Sequence, residues 1–243
     1  MRCALLPTAV LAVWAGSASA GGINFAWGNG CWVDNPQSLV TFACDTNVGA
    51  FPMTASFAPD FDLPMFFALD FEIDVQADIP TLPNWWQFCS ADGCRMGSLT
   101  GTADFTSAPG GCAYAWPGRS PSLTMDWFTA GACGGGINLA ANRAKLRGSV
   151  ASDGYPTIHR GTEYYAFRLN IDAQKSSGGS ACGGCNVPVT LVLNEIDLGG
   201  ISVDRLTTPL ANTCLRWQAA GTTPCSATPV RNMTWGAIKS FYR

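Results

Sequence analysis

The chain has 243 residues, with 14 Lys and Arg against 17 Asp and Glu, a net charge of −3, 13% charged and 11% aromatic residues. A nucleic-acid surface should be strongly basic, so this balance excludes that class of partner. Scarce charge and plentiful aromatics describe a packed chain, and no Ser/Pro-rich linker or charge run divides it.

The first residues read as a targeting segment. Met1-Arg2, the apolar run Ala4 to Ala15 and the small-residue triplet Ala18-Ser19-Ala20 form the pattern of a secretory signal peptide over residues 1–20. Residues 21–243 are then expected as a single disulfide-stapled domain, secreted or periplasmic. No later stretch is long and apolar enough to cross a bilayer, so no membrane partner is expected after the signal is removed. Cys3 leaves with the signal, and the ten remaining cysteines are an even set, as in a disulfide framework. Connectivity does not follow from sequence. The simplest proposal joins neighbours: Cys31–Cys44, Cys89–Cys94, Cys112–Cys133, Cys182–Cys185 and Cys214–Cys225.

Strand signals follow in chain order as INFAW, LVTFAC, FPMTASFA, LDFEIDVQA, LTGTADF, RAKLRGSV, EYYAFRLNIDA, VPVTLVLNEIDL and GISVDRL, most of them separated by Gly, Pro, Asn or Asp. In the fourth, Leu69, Phe71, Ile73 and Val75 share one face and Asp70, Glu72 and Asp74 the other. In RAKLRGSV, Arg143, Lys145 and Arg147 share a face. Like charges along one strand repel, so the two rows should lie close together on one solvent face. A calcium site on the acidic row is the functional alternative, and cross-strand ion pairing is the plainer reading. In EYYAFRLNIDA, Tyr165, Phe167, Leu169 and Ile171 should point one way and Arg168, Asn170 and Asp172 the other. VPVTLVLNEIDL is apolar on both faces, as a strand covered on both sides would be. The pattern predicts an all-β, two-layer antiparallel sandwich of jelly-roll type. The terminal TWGAIKSFYR predicts a short helix capped by Thr234, with Trp235, Ile238 and Phe241 at a spacing of three.

Few residues suggest chemistry. Cys182-Gly-Gly-Cys185 is followed by β-rich sequence, not by the helix a redox pair needs, and no second Cys-x-x-Cys completes a zinc site. A tight disulfide across the Gly-Gly turn is the remaining reading. Glu195-Ile196-Asp197 and Glu72-Ile73-Asp74 each resemble part of the Glu-x-Asp-x-Glu motif of laminarinase-like glycosidases, but Gly199 and Gln76 stand where the last acid belongs. His159 is the only histidine, and no G-x-S-x-G elbow accompanies it. CGGGIN at 133–138 is a turn, not a phosphate loop. No catalytic residue, metal or cofactor is expected. The candidate ligand site is Trp85 and Trp86 with Asn84 and Gln87. Adjacent tryptophans cannot share one face of a regular element, so one is free to act as a sugar-stacking platform rimmed by amides. The alternative has one ring buried and the other capping the sheet edge.

The segments TLPNWWQF, GTEYYAF, CGGCNVPV and TWGAIKSFYR resemble those of an uncharacterised group of secreted, cysteine-rich bacterial proteins with no assigned activity. The resemblance implies export and a single domain, and no site. The expected function is a secreted, non-catalytic structural or binding protein with an extracellular glycan as candidate partner, a carbohydrate-binding module. The alternative is a secreted jelly-roll glycoside hydrolase.

Overall fold

The computed structural model describes residues 21–32, 36–89, 93–130, 133, 137–218 and 221–225. The predicted signal peptide and the predicted helix from Thr234 lie outside the described residues. Twelve strands follow in order: β1 (Gly22–Trp27), β2 (Leu39–Val40), β3 (Ala50–Ala58), β4 (Ala68–Ala77), β5 (Leu99–Thr102), β6 (Ala113–Tyr114), β7 (Ser122–Thr129), β8 (Arg143–Ala151), β9 (Tyr164–Asp172), β10 (Val189–Gly199), β11 (Val203–Leu206) and β12 (Cys214–Trp217), with one 3-10 turn at Asn84–Trp86. LVTFAC is extended only at Leu39–Val40, and the sequence reading missed β6, β7 and β12.

The strands form two packed sheets, so the predicted sandwich is the fold. One runs β1-β3-β9-β5 with β6 beside β9, and the other runs β2-β12-β10-β4-β8-β7 with β11 beside β10. Pairing is antiparallel except for β2 with β12 and β6 with β9. β3 pairs with β9 in one sheet, and their successors β4 and β10 pair in the other. One antiparallel ribbon therefore folds over from sheet to sheet, which is the jelly-roll winding. Between the sheets lies a single large core, where the rings of Phe71 and Phe167 stack with centroids 3.7 Å apart. Phe71 fits because its cross-strand neighbour is Gly148, where a Cβ would overlap the ring.

Two bulges reset the alternation. In β10 the register with β4 slips between Leu193 and Glu195. Val189, Leu191 and Leu193 face the core before the slip, and Ile196 and Leu198 after it. An extra residue moves every later side chain to the other face. VPVTLVLNEIDL thus reads as two-sided partly because its phase changes at Asn194. Its first half is also covered on both faces, because Thr190 reaches the carbonyl of Thr223 at 3.5 Å. β9 slips against β3 beside Ala166. As a result Tyr164 joins the main core, whereas Tyr165, expected there, stacks on Phe105 at 4.3 Å in a small separate cluster with Cys31.

The strand directions bring the described parts of the connections 28–49, 78–98, 130–142, 173–188 and 218–225 to one end of the sandwich. All ten cysteines are bridged, but four of the five neighbour pairings are wrong. The bridges are Cys31–Cys112, Cys44–Cys185, Cys89–Cys133, Cys94–Cys182 and Cys214–Cys225. Of the neighbour pairings only Cys214–Cys225 holds: the winding brings the remote loops that carry Cys44, Cys89, Cys94, Cys133, Cys182 and Cys185 together at this end, while Cys31–Cys112 lies apart, in the small cluster with Phe105 and Tyr165. The bridges of separation 81, 141 and 88 close loops worth about 4–5 kcal/mol each in the chain-entropy model, more than neighbour pairs would supply.

The Cys182–Cys185 turn is a junction and not a local staple. One cysteine reaches the 78–98 loop and the other the 28–49 loop. Its two glycines differ in use. Gly184 has φ +100°, and a Cβ there would overlap Pro83; around Gly183 the space is open. Trp85 N–H donates to the Gly183 carbonyl at 3.0 Å, which locks the turn against the 3-10 turn. Gly184→Ala should therefore lose about 2 kcal/mol or more in urea unfolding, and Gly183→Ala less than about 1 kcal/mol. Non-reducing peptide mapping should recover Cys44 linked to Cys185 and Cys94 to Cys182. A recovered Cys182–Cys185 peptide would contradict the junction.

Candidate functional site

The predicted sugar platform is not a surface. Trp85 and Trp86 are both fully buried. The Trp85 ring lies 3.6 Å from the Arg95 guanidinium carbon and 4.7 Å from the Trp217 ring, and its Nε1 donates to Ser176 Oγ at 3.0 Å. Trp86 lies 5.6 Å from Trp217 and 5.9 Å from Phe88. Adjacent rings diverge by 64° here, yet the turn that carries them is enclosed on both sides, by the sandwich and by the stapled loops. Asn84 is exposed and Gln87 half-buried, but neither borders an available ring. The four are therefore corrected as a ligand site: Trp85 and Trp86 are a core anchor, and Asn84 and Gln87 have no open ring to rim. Arg95 belongs to the same anchor. It is fully buried and donates to the carbonyls of Gln174 at 3.0 Å, Trp85 at 3.1 Å and Asp172. Burial pulls its pKa down to about 10, so it stays charged at neutral pH.

The acidic and basic rows meet as expected. β4 and β8 place Glu72 opposite Arg147 and Asp74 opposite Lys145. Glu72 Oε1 accepts from Lys145 and Oε2 from Arg147 Nε at 2.9 Å and Nη2 at 2.8 Å, while Lys145 also lies 3.2 Å from Asp74. The sequence did not show that β10 lies on the other side of β4. Its bulge brings Glu195 opposite Glu72 and Asp197 opposite Asp70. The two partial glycosidase-like motifs are therefore cross-strand neighbours. On their far side, Arg205 of β11 binds Asp197 through two bonds of 2.8 Å and lies 3.4 Å from Glu195. The sheet thus carries an ordered ladder of cation, acid, acid and cation.

The two glutamates have opposed protonation tendencies. Burial alone would raise the Glu72 carboxyl, but hydrogen bonds and charge from Lys145 and Arg147 outweigh it and hold the pKa low. Burial raises Glu195, with Asp197 and Glu72 adding to the shift against Arg205. Split acids are the mark of acid/base pairs, yet such a pair needs a free nucleophilic oxygen beside a cleft. Both oxygens of Glu72 are already bonded to cations. Among the described residues no cluster of acids, cysteines and histidine could hold a metal ion. His159 lies on a loop with Nδ1 3.6 Å from Asp62, and its side chain is 64% exposed.

Two other features remain. A cleft of about 290 Å³ is lined by Trp27, Gly28, Asn29, Gln37, Phe42 and Pro52, among others. Trp27 on its floor is only 5% exposed, and its Nε1 donates to the Arg216 carbonyl at 3.2 Å. The second lies at the end opposite the stapled loops, formed by residues 59–67, 152–163 and 200–202. There Phe61, Met65, Phe67, Tyr155, Ile201 and Val203 are all exposed, the last two to 73% and 74%. Phe67 and Tyr155 meet edge to face with centroids 6.2 Å apart. Every exposed large aromatic among the described residues is at this end.

Backbone bonds tie the end together. Leu63 and Ile158 exchange bonds of 2.9 and 3.1 Å, Phe66 N–H donates to Pro156 at 2.9 Å, and Phe67 N–H donates to Gly199 at 3.0 Å. Met65 sits at φ 57°, a left-handed conformation costing an L residue about 1–2 kcal/mol. Glycine would be cheaper there, and the methionine side chain is half exposed.

No family model matches the chain, and no curated protein matches its sequence. Among solved structures it is similar to a cohesin module from a Clostridium perfringens family 33 glycoside hydrolase, at 11% identity and a TM-score of 0.36, over 82% of this chain and 98% of that one. A likeness at that level carries no functional inference. Among the described residues no helix is long and apolar enough to cross a membrane.

The ladder predicts unequal costs for its two glutamates. Glu72→Gln strips Arg147 and Lys145 of their shared partner and should cost about 1–3 kcal/mol at pH 7, the half-exposed Arg147 keeping the loss below that of a fully buried pair. A depressed pKa stabilises above the ordinary carboxylate range and ceases to do so as pH falls through its lowered value, so the difference should close below about pH 4. Glu195 has the opposite sign. Its raised pKa favours folding only at low pH, so Glu195→Gln should be neutral or stabilising by up to about 1 kcal/mol at pH 7. Urea midpoints across this range decide it; equal losses for both variants at pH 7 would refute the ladder as drawn.

Proposed function

We propose that this chain is an exported, non-catalytic binding module, and that it binds through the end built from residues 59–67, 152–163 and 200–202. The exposed apolar cluster there carries the reading. Isolated exposed apolar residues need no explanation, but aromatic and aliphatic side chains grouped on cross-bonded loops mark an interaction site. Five disulfides, together with the leader-like first residues, support work in an oxidising compartment. The full engagement of Glu72 supports a binding role over glycoside hydrolysis.

A glycan ligand is the second reading, favoured by the cleft with its Trp27 and Phe42 rings and the exposed amides of Asn29 and Gln37. It ranks lower because Trp27 offers little ring face for stacking.

Selection of a displayed random-peptide library on the full chain tests the reading. Enriched binders should compete with one another and weaken by about tenfold or more in a Tyr155→Ser, Ile201→Ser variant. They should be indifferent to Val48→Ser, Met96→Ser at the stapled end. Binders blind to the first variant overturn the reading. A glycan array signal lost on Gln37→Ala would support the cleft instead. β-Glucan hydrolysis abolished by Glu195→Gln in a folded protein would restore the enzyme.

A further inference from the structure

The edges of a sandwich are where another backbone can join it, and most edges here are covered or short. β1, the outer strand of the smaller sheet, is bonded along its free side. Ile23 and Phe25 N–H donate to the carbonyls of Thr208 at 2.9 Å and Asn212 at 2.7 Å, and Trp27 N–H donates to Gln37 at 2.8 Å. The opposite margin of that sheet ends in β5 and β6, with four and two residues, and the larger sheet ends on one side in the two-residue β2. β11, beside β10, has four. β7 is different. It closes the other side of the larger sheet with eight residues, Ser122–Thr129, in unbroken register with β8. The strand has no proline, lysine, arginine or bulge, the usual means of keeping an edge from pairing.

The backbone polarity of this edge follows from the neighbouring ladder. Ser152 N–H donates to the Phe67 carbonyl and Ala77 N–H to the Asn142 carbonyl, both at 2.9 Å, so the even-numbered residues of β8 bond to β4. Backbone groups alternate sides along a strand, and the odd-numbered residues of β8 therefore serve β7. Their partners are Ser122, Thr124, Asp126 and Phe128. The Thr124 carbonyl lies against Gly148, on the β8 side, as this requires. Leu123, Met125 and Trp127 thus turn N–H and C=O away from the sheet, where no backbone partner meets them among the described residues. Their side chains pack against the core, which leaves Ser122, Thr124, Asp126 and Phe128 on the outer face.

We propose that two copies of this chain join through β7, antiparallel about Met125, so that their larger sheets become one continuous sheet. In that register Leu123 meets the partner's Trp127 and Met125 meets the partner's Met125, each pair exchanging two N–H···O bonds between groups otherwise left to water. The core-side pairs are apolar throughout. On the outer face Asp126 stands across from the partner's Thr124, whose hydroxyl can donate to it, and across from Arg147 on its own β8. Neighbouring registers are poorer. A shift of two residues one way sets Asp126 against the partner's Asp126. The same shift the other way sets Pro121, which has no N–H, against the partner's Trp127. A strand that pairs best with itself about its own centre argues for a second copy over an unrelated extended peptide. β8 holds the strand before any partner arrives, so little ordering entropy is lost on pairing. Ser122 lies at the apolar end and Thr129 at the stapled end, so the antiparallel join points the two apolar ends apart and leaves both open. The proposal stands independently of the reading of that end.

The test combines sedimentation of the purified chain across about a hundredfold range of concentration with residue-resolved amide exchange. A reversible monomer–dimer equilibrium is expected. Exchange at Leu123, Met125 and Trp127 should slow as the dimer fills, whereas Thr124 and Asp126, bonded to β8, should be protected at every concentration. Asp126→Lys, which sets two cations diagonally across the join and beside Arg147, should weaken the dimer about tenfold or more. Thr124→Lys, which brings a cation opposite the partner's Asp126, should not weaken it. Thr100→Lys on the exposed face of β5 and Tyr155→Ser, Ile201→Ser at the apolar end should leave the dimer unchanged. Urea unfolding checks that each variant is folded. A chain that stays monomeric, with Leu123, Met125 and Trp127 exchanging freely, would overturn the proposal. So would a dimer or larger assembly in which those three amides stay unprotected, or one that Tyr155→Ser, Ile201→Ser dissolves, since the copies would then meet elsewhere. Equal weakening by Asp126→Lys and Thr124→Lys would overturn the register about Met125.

Discussion

The stapled end of the sandwich is organised around one indole. Trp217, the last residue of β12, lies within 4.4–5.9 Å, centroid to centroid, of Trp27, Phe42, Phe51, Trp85 and Trp86, and its Nε1 donates to the Cys185 carbonyl at 2.6 Å. Those rings come from β1, β3 and two long connections. Burying an aromatic cluster of this size is worth far more than any single contact at this end. The bridges Cys44–Cys185 and Cys94–Cys182 hold the connections that deliver the rings, and Arg95 ties three backbone carbonyls behind Trp85. Cys182-Gly-Gly-Cys185 thus owes its composition to packing. Two cysteines face different loops, and Gly184 lets Pro83 close over the turn.

A second constraint acts on the outer face of the larger sheet. Facing carboxylates on β4 and β10 would repel if left alone. Cations from β8 on one side and β11 on the other make the arrangement tenable, and this order requires the β10 bulge. Without the extra residue at Asn194, Glu195 and Asp197 would point into the core. The charges that suggest catalysis in the linear sequence are therefore the means by which two central strands keep one face polar. Burial raises both glutamates, and the two cations bonded to Glu72, against the single more distant Arg205 at Glu195, push the cross-strand neighbours in opposite directions.

What could be seen in the sequence follows from which interactions are local. The rows of β4 and β8 were legible because strand alternation alone assigns a face, and like charges demand an opposite row nearby. The same rule applies at β7, where Leu123, Met125 and Trp127 alternate with Thr124, Asp126 and Phe128, but the apolar Phe128 on the polar face blurs the pattern. Bulges are nearly invisible: Ala166 and Asn194 are ordinary residues whose extra place shows only against a partner strand, so Tyr165 was put on the wrong face. Cysteine pairing was illegible for a different reason. It depends on which loops the winding brings together, and neighbours in sequence are not neighbours at the end of a jelly roll. Burial of Trp85 and Trp86 was hidden likewise, because a turn exposes one of two adjacent rings only if nothing closes over it.

The opposite end follows from the same winding with a different outcome. The loops 59–67, 152–163 and 200–202 contain no cysteine, and their backbones are held by reciprocal bonds such as those between Leu63 and Ile158 and by Phe66, which stacks on Trp116 with centroids 4.9 Å apart. Once those polar groups are satisfied, side chains divide: Leu63 and Phe66 turn inward, while Phe61, Met65 and Phe67 turn out. A loop selected only for stability would bury or replace the outward set, and would put glycine at the left-handed Met65. Exposed apolar groups on a backbone fixed before any ligand arrives fit a surface that stays open when the chain is alone, and this sets it apart from the aromatic end, which the fold itself consumes.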